Sequence, residues 1–99
     1  METEMRIIPE FAELGYCASA DGHIYSATGH MLAEHVQANG YVCTTISDYG
    51  KPRCRGVAKM VAAAWLGEAP MFCRVTHIDG DSTNNSIENL KYETRRKNG

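Results

Sequence analysis

Residues 74–98 read R-V-T-H-I-D-G-D-S-T-N-N-S-I-E-N-L-K-Y-E-T-R-R-K-N. Phe72-Cys73-Arg74-Val75-Thr76-His77, overlapping its start, is rich in aromatic and β-branched residues and predicts a strand that ends on a histidine. Asp79 to Asn85 is a polar run whose glycine, serine and asparagines favour turns over ladders, so it predicts a loop. Ile87, Leu90 and Tyr92 bring the chain back into ordered structure, and Thr94 offers an N-cap to a last helix built from Arg95-Arg96-Lys97-Asn98.

Upstream of this stretch lies the stripe Val57, Met60, Val61, Ala64 and Trp65, at i, i+3, i+4, i+7 and i+8, which predicts an amphipathic helix closed by Gly67 and Pro70. A stripe of this kind is read as core packing. Further back, Asp21-Gly22 and Asn39-Gly40 sit between β-prone runs as hairpin turns. Met31 to Gln37, Tyr41 to Ile46 and Lys51 to Arg55 are the strands expected around the second turn, with Pro52 confining its strand to an edge. Ile7-Ile8-Pro9, Phe11 and Leu14 form an apolar lead into the domain, after a loose tail at Met1 to Glu4. The expected first half is a small antiparallel sheet.

Ninety-nine residues, 43% of them hydrophobic, suffice for one small domain with a thin core. No apolar run approaches the roughly 18 residues of a membrane span, and no charged start with an apolar stretch and cleavage site is present. The reading is a soluble, unprocessed chain with no membrane partner. Cys17, Cys43, Cys54 and Cys73 are separated by 26, 11 and 19 positions, so no C-x-x-C pair starts a zinc knuckle. Four buried, reduced thiols in a reducing cytoplasm are expected. A net charge of −2 argues against a generic nucleic-acid binder, but the average conceals a gradient. Residues 1–50 hold one basic residue against seven acidic, and residues 51–99 hold nine basic against five acidic. Such asymmetry lets one end face an anion.

The register of His77, Asp79-Gly80, Asn84-Asn85, Asn89-Leu90 and Asn98 resembles the HNH homing-endonuclease branch of the ββα-metal nucleases, found in phages and mobile introns. In that branch a strand ends in Asp/Asn-His, a loop reads x-D-G-N-x-x-N-N, an x-x-N-L follows, and a helix supplies a last Asn or His. Two upstream blocks are similar to the same proteins. G-Y-C-A-S-A-D-G-H-I-Y-S (15–26) resembles their "YxVSxxGRVxS" opening, and V-A-K-M-V-A-A-A-W-L (57–66) resembles their "VHRLVAxAF" helix. The resemblance implies an α+β fold: a single HNH-like domain over 1–99, with an N-terminal antiparallel sheet over 5–55, one amphipathic helix over 56–67, and a ββα-metal motif over 71–98 whose last helix is truncated.

By the same resemblance the chain is expected to be a divalent-metal-dependent DNA endonuclease or nickase. His77 would be the base that deprotonates water, since free imidazole titrates near ~6.5. Asn89 would hydrogen-bond across the loop and hold His77. Thr76 and Asn98 would be the protein ligands of one Mg²⁺ or Mn²⁺, ions that favour hard oxygen donors. Lys51, Arg53, Arg55, Lys59, Lys91, Arg95, Arg96 and Lys97 would contact the phosphates of double-stranded DNA, which positions a duplex but reads little sequence. Tyr41, Tyr49 and Tyr92 are expected to pack on sheets. Position 76 departs from the family, with Thr where it places Asp, Asn or His, and position 58 has Ala in place of His. These departures keep an alternative open: a degenerate HNH-fold protein that binds DNA or a host protein as a phage-type regulator or inhibitor. A third reading is a subunit whose thin core is completed by homodimerisation.

Overall fold

Two glycine turns in the first half close two separate hairpins. A computed structural model describes residues 4–94. In it β1 (Met5–Ile7), β2 (Cys17–Ser19) and β3 (Ile24–Tyr25) form an antiparallel sheet in the order β1-β2-β3. β4 (Glu34–Val36), β5 (Val42–Asp48) and β6 (Lys51–Gly56) form a second, in the order β4-β5-β6. The one sheet expected over 5–55 is thus divided. The break lies between Tyr25 and Met31, which form only an isolated bridge. There Gly29, at φ 88, donates its N–H to the Ser26 carbonyl and turns the chain. The strand expected over 31–37 contracts to β4, whose three residues are all exposed, so no burial extends it. Pro52 sits on the outer strand β6, as its missing donor requires.

The predicted helix is α1 (Val57–Leu66). Val57, Met60, Val61 and Ala62 are buried, with Ala64 and Trp65 packed against the same cluster. Full burial of side chains such as Val57 and Met60 contributes roughly 1.5–3 kcal/mol each relative to exposure, which outweighs the absent N-cap side chain at Gly56. Trp65 Nε1 donates to the Ala18 carbonyl at 3.0 Å, tying α1 to β2, and the Arg6 guanidinium lies 4.3 Å from the Trp65 ring centre. Between the sheets, the Ser47 N–H donates to the Tyr16 hydroxyl at 3.1 Å, and His23 Nδ1 lies 2.7 Å from Glu34 Oε2.

β7 (Cys73–His77) and β8 (Leu90–Thr94) form a two-stranded antiparallel ladder in which His77 faces Leu90 and Val75 faces Tyr92. Phe72, expected inside the strand, has φ 65 and stays outside it, because left-handed backbone cannot continue a ladder. Thr94 closes β8 where a helix N-cap was expected. The last helix, with Arg95, Arg96, Lys97 and Asn98, lies outside the described residues. The α+β class with its two final strands stands as expected. All four cysteines are free, but Cys43 is the one that is buried; Cys17 and Cys73 are half-buried and Cys54 is exposed. No described helix is long and apolar enough to cross a membrane.

Candidate active site

His77 is the last residue of β7, so the ladder fixes its backbone while the loop that follows is free to fold over its side chain. Its Nε2 lies 2.7 Å from Asn85 Oδ1, and Asn85 is buried, with 5% of its surface exposed. With the amide oxygen accepting, Nε2 carries the hydrogen and Nδ1 keeps its lone pair. The Tyr41 ring stands 6.0 Å from the imidazole. Tyr41 therefore flanks this site, while Tyr49 is exposed with its hydroxyl donating to Glu13 and Tyr92 donates to the Gly67 carbonyl.

The loop is held by Asp79. Its Oδ1 accepts from the Asp81 N–H at 2.7 Å and from Asn89 Nδ2 at 2.9 Å, and its Oδ2 accepts from Asn84 Nδ2 at 3.1 Å. Asn89 also accepts the Asp79 N–H at 3.0 Å and donates to the Asn84 carbonyl at 2.9 Å. Asn89 thus bonds across the loop, as expected, but to Asp79 and Asn84; the side chain that reaches the imidazole is Asn85. Asn85 belongs to the family register, yet its sequence context assigns it no role. Adjacent asparagines in a loop carry no sign of which one turns inward.

The N–H of Asp81 and the amides of Asn89 and Asn84 stabilise the charged form of Asp79, and its carboxyl is lowered from the usual value. A carboxyl lowered in the folded state holds the loop above the ordinary aspartate value of about 3.9 and releases it as pH falls through the lowered one. We expect the Asp81 amide resonance to titrate with a midpoint below about 3.9 by NMR. A midpoint at or above that value would mean that Asp79 does not hold the loop in solution.

Two hairpin turns brace the loop from outside. Ser82 Oγ donates to the Gly40 carbonyl at 2.6 Å, and the Ile87 N–H donates to the Ala20 carbonyl at 2.9 Å beside the Asp21-Gly22 turn. The Ser86 N–H accordingly lies close behind Gly22.

The expected cationic set is dispersed. Lys59 lines an open groove of about 450 Å³ together with Arg74, Val75, Tyr41 and His77. Arg74, absent from the expected set, is exposed there three residues before the histidine. Lys51, Arg53 and Arg55 lie on β6, and the register puts Arg53 opposite Ile46 and Arg55 opposite Thr44. Arg53 Nε pairs with Asp48 at 2.7 Å, Arg55 Nε with Glu10 at 3.6 Å, and Lys91 with Glu93 at 3.6 Å. Exposed pairs of this kind contribute about 0–1 kcal/mol, so a phosphate can replace any of these carboxylates.

Thr76 Oγ1 is buried and has no hydrogen-bond partner among the described residues. A leftover oxygen donor beside His77 suits a hard cation, although it is neutral and both Asp79 oxygens are engaged elsewhere. Of the expected ligand pair, Thr76 is the one described donor, and it is neutral. Asn98, the second expected ligand, lies outside the described residues.

The chain matches a family model for HNH endonucleases over residues 59–99. It is 26% identical over 84 residues to an uncharacterized HNH endonuclease of Acanthamoeba polyphaga mimivirus, covering 84% of this chain and 26% of that protein. Its fold is similar to that of the HNH homing endonuclease I-HmuI, in a structure of DNA binding and cleavage, with a TM-score of 0.82 and 28% identity over 93% of this chain and 53% of that one. The chain thus spans about half of I-HmuI and about a quarter of the viral relative.

Proposed function

We propose that this chain is a DNA endonuclease unit that nicks one strand per site, with His77 as the general base. The observation that carries the reading is the 2.7 Å contact from His77 Nε2 to Asn85, which leaves Nδ1 as the proton acceptor. Nδ1 takes a proton from water as the water oxygen forms its bond to phosphorus, the phosphodiester P–O bond breaks, and the leaving oxygen is protonated from solvent. Asn85 keeps the ring in one tautomer and orientation, and Asp79 with Asn89 fixes the loop that carries Asn85. Lys59 and Arg74 line the approach to His77 and bind phosphates, and Lys51 extends the contact together with Arg53, Arg55 and Lys91 once these three exchange their carboxylate partners. The family match and the fold likeness to a DNA-cleaving enzyme support DNA as the substrate.

Thr76 and Asn98 would hold one Mg²⁺ or Mn²⁺, which would supply positive charge at the phosphate and the leaving oxygen. A neutral hydroxyl in this place gives weak affinity, so Thr76→Asp is expected to raise nicking of supercoiled plasmid by on the order of tenfold at limiting Mg²⁺, with less gain at saturation. Nicking rate measured against Mg²⁺ and Mn²⁺ concentration for both proteins is the test. A variant no faster at any concentration would remove Thr76 from the ligand set. The same neutral hydroxyl favours a second reading, a chain that binds DNA without cutting it. Salt-dependent DNA binding with no nicking by either protein in either metal would establish that reading instead.

A further inference from the structure

β4, β5 and β6 place a second set of metal-type donors on the face of their sheet that points away from the core. His35 on β4 faces Cys43 on β5. Cys43 in turn faces Gly56 on β6, and Cys54 faces Thr45, so Cys54 is the diagonal neighbour of Cys43. Alternation along the strands puts His35, Cys43 and Cys54 on one face, while Val42, Thr44 and Ile46 fill the core from the other. One donor atom from each of the three lies within 4.8 Å of the other two, and His35 Nε2 is 2.8 Å from Cys43 Sγ.

We infer that His35, Cys43 and Cys54 bind a borderline-soft d¹⁰ cation, with Zn²⁺ foremost, in a site separate from His77. Two thiolates and an imidazole are the donor types of such an ion, and the two thiolate charges balance a dication. A tetrahedral ion with Zn–S near 2.3 Å and Zn–N near 2.0–2.1 Å holds its donors roughly 3.5–3.8 Å apart. The cluster reaches that geometry by small rotamer adjustments of His35 and Cys54, which are exposed and free to move, around a fixed, buried Cys43. The fourth position is left to water.

A disulfide is the competing use of two cysteines, and the register disfavours it. Diagonal neighbours in an antiparallel pair stand roughly 7–8 Å apart, with Cβ atoms somewhat closer, whereas a disulfide needs Cβ atoms about 3.5–4.5 Å apart. Burial and the hydrogen bond to Cys54 push the Cys43 thiol up when no cation is present, so metal uptake must release protons. The gain falls on β4, a three-residue strand with every residue exposed and paired only to β5. An ion bonded to His35 clamps this strand to the longer ones. β4 also leads into the Asn39-Gly40 turn that braces the loop after His77, so the clamp supports the active site without taking part in it.

The test uses the full chain, reduced and metal-free, titrated with Co²⁺ and with Zn²⁺ alone. We expect one Co²⁺ per chain, with thiolate-to-cobalt charge-transfer absorption and tetrahedral d–d bands, displaced by one Zn²⁺. Zn²⁺ in excess over its dissociation constant should raise the melting temperature. Cys54→Ser and His35→Ala alter exposed side chains and leave the core intact; each should weaken binding by more than about a hundredfold, beyond the 10–100-fold usual for outer-shell partners. Cys17→Ser and Cys73→Ser should bind as the parent does. Absence of the charge-transfer band, affinity unchanged in Cys54→Ser and His35→Ala, or a Cys43–Cys54 disulfide in the protein as isolated would each overturn the inference. None of these readouts depends on DNA cleavage.

Discussion

His77→Ala is expected to lower plasmid nicking by roughly 10²–10⁴-fold, the usual contribution of a positioned general base, with little change in stability. The imidazole is half-buried at the end of β7, contacts Asn85 and Tyr41, and is no part of the hydrophobic cluster formed by Ile8, Ile24, Ile46, Val57 and Val61. Its removal therefore takes away a proton acceptor and leaves the core as it was. The variant should keep its circular dichroism spectrum and bind DNA with the parent's affinity and salt dependence, because the cations that meet phosphate lie on other side chains. Equal nicking by parent and His77→Ala in both Mg²⁺ and Mn²⁺ would show that the imidazole is not the base. Loss of nicking together with DNA binding would instead assign His77 to substrate contact.

Local rules carried much of this fold. The period of Val57, Met60 and Val61 placed the helix to within a residue, and the Asp-Gly and Asn-Gly turns marked both hairpins, because each depends on neighbours in the chain. What escaped depends on register between strands. Whether two hairpins share one sheet is decided by the geometry of the Ser26–His30 turn, which turn composition leaves open. Arg53 and Arg55 read as a basic run, yet alternation on β6 turns them toward Asp48 and Glu10. The His35, Cys43 and Cys54 cluster is invisible as a motif, since spacings of 8 and 11 acquire meaning only when two ladders lay those residues on one face. At the candidate site the histidine and the loop were legible from residue type. The division of labour between Asn85 and Asn89 was not, because both are buried amides and only the path of the loop decides which meets the ring.

That path is set by the Asp21-Gly22 turn, and Gly22→Ala tests it. Gly22 is buried with φ 96, and a Cβ added there would stand 2.5 Å from the Asn85 carbonyl oxygen and 2.8 Å from the Ser86 nitrogen. Both obstacles are backbone, so no side-chain rotation relieves the clash. Left-handed backbone costs a residue with a Cβ roughly 1–2 kcal/mol, and overpacking a tight contact adds about 1–3 kcal/mol. The sum, about 2–5 kcal/mol, is a large share of the stability of a small domain and corresponds to a melting-temperature drop of about 10 °C or more. Gly29→Ala is the control: Gly29 has φ 88 and nothing within 4 Å of the added Cβ, so it incurs the backbone cost alone. The difference between the two variants isolates the contact between the first hairpin and the loop. The same contact predicts a second effect at temperatures where Gly22→Ala remains folded. Pushing residues 85–86 away from the turn moves Asn85 off His77, so nicking by the folded variant should fall while that of Gly29→Ala stays near the parent's. Equal melting temperatures for the two variants, measured by thermal denaturation, would mean that the hairpin does not brace the loop, and that the N-terminal sheet has no part in shaping the site.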